Sequence, residues 1–373
     1  MKLRYKVAIG VVSLVAAAAA SGLAALRYEA PCTAAPPVPV PAGTPLMKAV
    51  VHRCYGSPDV ITIEDVAKPL PASNEVLVKV RAVSVNPLDW HVLRAEPYVM
   101  RTGSGIGRPN DVRLGADFAG TVEAVGKDVT RFRVGDDVFG ASGRNSAFAQ
   151  YVKVVAEHWA IAPKPTNVSF EEAAAVPVAA ITALQALRDQ GRIQPGHKVL
   201  VNGAAGGVGT FAVQIAKALG AEVTGVCSTG GAALVARLGS DHVIDYTRDD
   251  FMLRDERYDL IVDMVGGHSP VEYQRVLTPT GALVLVGTTD KGRWLGPLSG
   301  MLAVLAYAPF IEHRVTTLIA KLNEPDLAFV AQLLQDGKIT LAIDRRYAFR
   351  DTADAIRYLE QGHTHGKVVV TVD

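Results

Sequence analysis

The sequence predicts an α/β protein, a doubly wound parallel sheet joined to a β-rich domain and preceded by an apolar N-terminal helix. Three observations carry this. A strand, a glycine-rich turn, a helix and a second strand follow one another between Lys198 and Cys227. The alternation of short apolar strands with helical segments then continues to Gly287. Residues 47–168, by contrast, hold short β-branched runs broken by Gly, Pro, Asn and Asp, the spacing of an antiparallel barrel or sandwich.

Size and composition fit two packed cores. The chain has 373 residues, 49% of them hydrophobic, which excludes global disorder. Lys+Arg is 38 against Asp+Glu 37, so no basic field for nucleic acid is present. The three cysteines, Cys32, Cys54 and Cys227, are too few for a disulfide framework or a four-cysteine zinc lobe, and Cys32 reads as an ordinary thiol.

In the β-rich part, strands are expected at Met47–His52, Val76–Val85, Gly120–Val125, Val138–Gly140 and Ala149–Val155. Val122–Gly126 and Phe132–Asp136 alternate like a half-buried hairpin.

The second part is more specific. Lys198–Asn202 is a short buried strand, followed at once by Gly203-Ala-Ala-Gly-Gly-Val-Gly209, a helical Thr210–Leu219 and the strand Ala221–Cys227. This is the arrangement of a dinucleotide-binding βαβ unit. Gly203, Gly206 and Gly209 let the backbone turn tightly and approach a pyrophosphate, with Gly207 and Val208 between them. The following helix offers free N–H groups and the positive end of its dipole. Strands at His242–Tyr246, Tyr258–Val265 and Gly281–Gly287, with helices at Ala232–Leu238 and Val271–Leu277, complete a parallel sheet. Ligands sit at the carboxyl ends of such strands, which places Ser228, Thr229, Tyr246, Val265–Gly267 and Gly287 around one crevice with the glycine turn. No carboxylate follows the second strand to hold a ribose 2′-hydroxyl. Ser228 and Thr229 admit a 2′-phosphate instead, so NADP(H) is favoured and NAD(H) stays open.

These segments together resemble the medium-chain dehydrogenase/reductase superfamily, and within it the zinc-free quinone oxidoreductase-like branch. The motifs that carry the resemblance are Met47-Lys-Ala-Val50, Val83-Ser-Val-Asn-Pro-Leu-Asp-Trp90, Gly115-Ala-Asp-Phe-Ala-Gly120, Arg133-Val-Gly-Asp-Asp-Val-Phe139, Gly203–Gly209 and Gly366-Lys-Val-Val-Val370. It implies a GroES-like substrate domain of residues 47–168, completed by residues 316–373, with a Rossmann domain of residues 169–315 inserted between them. It also implies cofactor contacts from Thr182, Tyr246 and Lys367. Thr182 reads equally as a helix-interior threonine, and Tyr246 as a strand-end packing residue. The positions where zinc relatives carry metal ligands are Asn86, Ala116 and Pro177 here, none able to supply a thiolate or imidazole, and His363-Thr-His365 reads as a surface loop. No metal is expected.

Without a Lewis acid, a conjugated acceptor is the easiest hydride sink, because the charge delocalises onto an oxygen that solvent can protonate. The expected activity is therefore hydride transfer from NAD(P)H to a quinone or α,β-unsaturated carbonyl. Asn86 is the first candidate donor to that oxygen, or else a turn residue before Pro87. Trp90 walls the pocket or packs in a core, and His91 is a second donor or an exposed helix residue. Asp89 reads as a helix cap. Two alternatives remain: an alcohol dehydrogenase-like carbonyl reductase, and a non-catalytic nucleotide-binding partner protein.

The ends add an attachment. Val7–Leu26 is an uncharged run of 20 residues after Lys2, Arg4 and Lys6. At 1.5 Å per residue it spans about 30 Å, a bilayer core. It reads as a single-pass membrane anchor or a cleaved secretory signal. The anchor is preferred on length, with the catalytic domain facing the cytoplasm, where NADPH is found, against the basic flank. Residues 31–45 hold six prolines and form a spacer. A second uncharged run, Trp294–Ile311, is broken by Gly and Pro and reads as a pocket lid, a dimer contact or a membrane-facing patch. A homodimer stays open.

Overall fold

Val76, Val78, Val80, Val83 and Val85 are all buried on a single strand, and that strand is the spine of the first sheet. The structure is a computed structural model, which describes residues 21–32, 40–143, 146–287, 292–296 and 298–372. A two-stranded ribbon comes first, β1 (Leu46–His52) antiparallel to β2 (Ile61–Ala67). The spine is β3 (Glu75–Val85). It pairs antiparallel with β4 (Asp117–Val125), which continues to β5 (Asp137–Ala141). β6 (Tyr151–Val155) lies along the first half of β3, and β7 (Ile161–Pro163) closes the β5 edge.

The parallel sheet follows. Its strands are β8 (Lys198–Asn202), β9 (Glu222–Cys227), β10 (His242–Asp245), β11 (Tyr258–Asp263), β12 (Leu277–Leu285) and β13 (Arg314–Thr317), in the order β10-β9-β8-β11-β12-β13. Order reverses beside β8, and this switch point is where such sheets open a crevice. Val199, Leu200 and Val201 of β8 are fully buried because helices cover both faces. The chain then returns to the first sheet. β14 (Ile343–Ala348) is parallel to β15 (Lys367–Thr371), and β15 lies antiparallel against the second half of β3. The carboxyl-terminal strand therefore sits beside Ser84 and Val85, next to the motif that begins at Asn86.

Element boundaries differ from expectation by a few residues, at strand and helix starts alike. The helix after the glycine turn begins at Gly207 rather than Thr210, because Gly206 itself is the extended N-cap. The helix expected over Val271–Leu277 is one turn, Pro270–Tyr273, followed by a tighter 3-10 turn, and Leu277 already belongs to β12. In the second apolar run, Leu298–Tyr307 is helical.

Two expectations for the amino-terminal part are corrected. Cys32 is not an ordinary thiol. It is disulfide-bonded to Cys54, leaving Cys227 as the free cysteine. The membrane-anchored localisation is also overturned. Among the described residues no helix is long and apolar enough to cross a membrane. Of the run Val7–Leu26, residues 7–20 lie outside the described residues, and residues 21–27 form a short helix whose end docks on the first domain.

Candidate active site

The glycine turn is set by backbone geometry that side chains would block. Gly203 has φ +89°, and a Cβ there would stand 2.9 Å from Val265 Cγ2. A Cβ on Gly209 would fall 2.1 Å from the Gly203 carbonyl oxygen, so the first turn of the helix packs directly on the end of β8. Gly206 is different, since a Cβ there would meet only the Gly203 oxygen, at 3.4 Å. No side chain caps the helix Gly207–Ala218, so its first N–H groups are left for a ligand. This shallow cradle with a free helix N-terminus fits a dinucleotide pyrophosphate.

Around it stand the strand ends. Asp263, fully buried at the end of β11, organises the next loop. Its Oδ1 accepts from Asn202 Nδ2 (2.8 Å), Val265 N (2.9 Å) and Gly266 N (3.0 Å), and its Oδ2 accepts from the Tyr273 hydroxyl (2.7 Å). Burial and this carboxylate push the Tyr273 hydroxyl up, so it stays a donor. Gly287 lies beside Met264 across the same loop. Sequence reasoning singled out Val265 and Gly287 but missed Asp263, although an aspartate closing the strand Tyr-Asp-Leu-Ile-Val-Asp, right after three apolar residues, was a visible signal.

At the end of β9, Ser228 is the N-cap of the helix Thr229–Arg237 and its hydroxyl makes no capping bond. Tyr246 donates its amide to the Cys227 carbonyl (3.0 Å), at the end of β9, and is 61% exposed. Thr229 is less free than expected, because its hydroxyl donates to Asp245 Oδ2 at 2.5 Å. Asp245 pairs in register with Cys227, so the next strand brings a carboxylate to the place where local spacing showed none. The His365 ring lies 2.9 Å from where a Gly230 Cβ would be, so half of the expected surface loop packs against this region.

The third group is a buried polar cluster beneath the glycine turn. Lys367 opens β15 and is 4% exposed. Its Cδ lies 3.2 Å from where a Gly207 Cβ would stand, and its Nζ donates to Asn86 Oδ1 at 2.7 Å. Asn86 Nδ2 in turn donates to Asp117 Oδ2 (2.9 Å). The same oxygen accepts from Ser84 Oγ (2.8 Å) and faces Lys367 Nζ at 3.6 Å. Asp117 Oδ1 accepts the Val178 amide (3.0 Å) at the start of the helix Pro177–Gln185. Burial lowers the Lys367 ammonium, against the pull of Asp117 and Asp89. Asp89 accepts the Asn86 amide (2.7 Å), and burial raises its carboxyl to about 7.

Asn86 is thus the N-cap of the helix Pro87–Arg94, with both ends of its amide engaged. One Nδ2 hydrogen remains beyond the bond to Asp117. Trp90 stacks on His91, ring centroids 3.6 Å apart. His91 is half-buried rather than exposed, its Nδ1–H donates to the Glu96 carbonyl (2.6 Å), and burial lowers its pKa. Thr182 bonds back to the Val178 carbonyl at 2.6 Å, within its own helix. Ala116 and Pro177 add no ligand beside Asn86, and among the described residues no group of three or more His, Cys, Asp or Glu could hold a metal ion.

Comparison with known proteins agrees with this geometry. Residues 72–186 match the alcohol dehydrogenase GroES-like domain, and residues 238–370 match the family described as zinc-binding dehydrogenase. The chain is 32% identical to mouse NAD(P)H oxidoreductase RTN4IP1, mitochondrial, over 88% of this chain and 89% of that one. It is 33% identical to the 2-methylene-furan-3-one reductase of Solanum lycopersicum over 87% and 79%. The quinone oxidoreductase structure from Coxiella burnetii superposes with a TM-score of 0.78 at 30% identity, covering 88% of this chain and all of that one. The chain belongs to the medium-chain dehydrogenase/reductase superfamily, with quinone oxidoreductase-like proteins among its relatives.

Proposed function

We propose that the protein is an NADP(H)-dependent oxidoreductase that reduces quinones or α,β-unsaturated carbonyls without a metal ion. The observation that carries this is Lys367, which touches the glycine turn through its stem and holds Asn86 with its ammonium. The nucleotide end and the proposed acceptor end are therefore one connected structure. The names of the tomato and Coxiella relatives, a methylene-furanone reductase and a quinone oxidoreductase, support the acceptor class.

When bound, the nicotinamide supplies the hydride. The residues of this chain supply the rest. Gly203, Gly206, Gly207, Val208 and Gly209 receive the pyrophosphate, and Ser228, Thr229 and Tyr246 take the adenosine end. Val265, Gly287 and Thr182 border the nicotinamide. Asn86 presents its remaining amide hydrogen to the acceptor oxygen, and Trp90 and His91 wall the pocket and exclude water. His91 Nδ1–H is committed to Glu96, which leaves wall-building as its main task. Residue types at positions 86, 116 and 177 support metal-free chemistry, because no thiolate or imidazole stands there.

NADP(H) is preferred over NAD(H) because two hydroxyls, Ser228 and Thr229, follow the second strand directly. Asp245 favours the second reading, since a carboxylate there would suit a ribose 2′-hydroxyl better than a phosphate. The proposed division of the chain is residues 47–168 with 316–373 as the substrate domain and residues 169–315 as the nucleotide domain.

Oxidation of NADPH and NADH is measured with a panel of naphthoquinones, benzoquinones and enones, beside a Gly206→Asp variant. Turnover with conjugated acceptors that the variant abolishes is expected. Tight NADPH binding with no oxidation by any acceptor would instead favour a nucleotide-binding partner protein.

A further inference from the structure

A disulfide and a backbone contact tie the amino-terminal segment to the first domain. Cys32 is bonded to Cys54, 22 residues away, with Cα atoms 4.9 Å apart. Cys32 is exposed and Cys54 buried, so a reductant meets the pair from the Cys32 side. Just before it, Ala30 N donates to the Gly107 carbonyl (2.8 Å), and the Tyr28 ring fills the space that a side chain on Gly107 would need.

Between these points lies Arg101, fully buried. Its guanidinium makes five hydrogen bonds. Three go to the amino-terminal segment: Leu26 O (2.9 Å), Tyr28 O (3.2 Å) and Glu29 Oε1 (2.7 Å). The other two go to Ala95 O and Arg94 O, and the group lies over the Tyr98 and Tyr55 rings. Tyr98 leads onward. Its amide donates to Arg293 O (2.7 Å), its ring meets Trp294 edge-on at 5.2 Å, and neighbouring Glu96 pairs with Arg293 and accepts from His91. The amino-terminal segment thus braces, through one buried cation, the loop behind His91 and the second apolar run.

We infer that Cys32–Cys54 is a redox-cleavable clasp, and that residues 26–32 form a strap whose release loosens the loop 94–107. The reductant is a dithiol. One of its thiolates attacks Cys32 Sγ, the Cys32–Cys54 bond breaks, and Cys54 leaves as a thiolate that takes a proton. The second thiol of the reductant then displaces Cys32 from the mixed disulfide. Two electrons and two protons end on the cysteines, and the reductant ends as a cyclic disulfide. Without the clasp the strap is held by hydrogen bonds, the Glu29–Arg101 ion pair and the packing of Tyr28, and Arg101 can lose three of its five acceptors. The strap and its release rest on no assumption about the reaction catalysed.

The test uses the full chain. After equilibration with oxidised glutathione and denaturation, one titratable thiol is expected, Cys227, rising to three after dithiothreitol. Hydrogen exchange followed by mass spectrometry should show amides of residues 94–107 exchanging at least tenfold faster after reduction, with the glycine turn unchanged. Cys32→Ser should exchange fast with or without dithiothreitol. Glu29→Ala, which keeps both cysteines, should give a partial increase that dithiothreitol completes. Three thiols under the oxidising condition would overturn the inference, as would exchange in residues 94–107 that reduction leaves unchanged.

Discussion

Lys367 donates to Asn86 across 281 positions of sequence, with 2.7 Å between Nζ and Oδ1. The bond joins the carboxyl-terminal strand to the first loop of the proposed acceptor pocket. It also brings the ammonium to 3.6 Å from the buried Asp117 carboxylate. Removing one partner of a buried pair leaves the other uncompensated, which costs about 3 kcal/mol or more, whereas removing both costs much less. Lys367→Met should therefore lower stability in urea by about 3 kcal/mol, and adding Asp117→Asn should recover part of the loss. A double variant that loses the sum of both single effects would show that the two groups are not coupled.

The two glycines of the turn separate folding from binding. A Cβ at Gly209 strikes the Gly203 oxygen at 2.1 Å, while one at Gly206 meets it at 3.4 Å, ordinary contact. Gly209→Ala should lower the melting temperature whether or not nucleotide is present. Gly206→Ala should melt close to the parent yet bind NADPH at least tenfold more weakly, as read by nucleotide fluorescence. Equal binding by Gly206→Ala would remove this turn from the nucleotide site.

Asn86 is expected to act on the acceptor rather than the nucleotide. Loss of one positioned donor to a developing oxyanion costs about 100-fold in kcat in well-studied cases. Asn86→Ala should lower kcat by about that factor with the NADPH dissociation constant changed less than threefold. An unchanged kcat would leave Asn86 a helix cap only.

Two buried groups bend the pH dependence of stability in opposite directions. Burial lowers His52 to about 4, partly opposed by the Cys54 backbone. The unfolded chain holds that proton below its ordinary value of 6.5, so His52 erodes stability as pH falls from about 6.5 to 4, by about 3 kcal/mol in total. Asp89, raised to about 7, keeps its proton in the folded state and erodes stability as pH rises from its ordinary 3.8 to about 7. Because the windows overlap, each is read by difference. His52→Leu should flatten the acid side of the stability curve, and Asp89→Asn the rise side. A His52→Leu curve parallel to the parent between pH 6.5 and 4 would contradict the burial argument.

What the sequence made legible was local. The run from Lys198 to Cys227 announces itself because strand, turn and helix are neighbours in the chain, and only glycine fits where Gly209 packs on Gly203. The long-range contacts were not legible. Asp117 lies 31 residues from Asn86 and Lys367 lies 281, so their cluster exists only once β15 lies beside β3. Asp245 reached Thr229 through the pairing of β10 with β9, which no spacing rule along one strand reveals. The count of three cysteines made Cys32 read as an ordinary thiol, whereas its partner Cys54 comes near it only once the amino-terminal segment lies back on the domain. His91 looked exposed on a helix read in isolation, and its burial comes from the following loop turning back through Glu96.

In the proposed reaction, this site delivers hydride to the conjugated carbon of an acceptor with no metal taking part. NADPH deuterated at the transferring C4 position, an α,β-unsaturated ketone and chelator-treated full-length protein test it directly. Deuterium is expected at the β-carbon of a saturated ketone, at a rate that chelation does not change. Deuterium on the carbonyl carbon of an allylic alcohol, or activity that disappears with the chelator and returns with zinc, would contradict it.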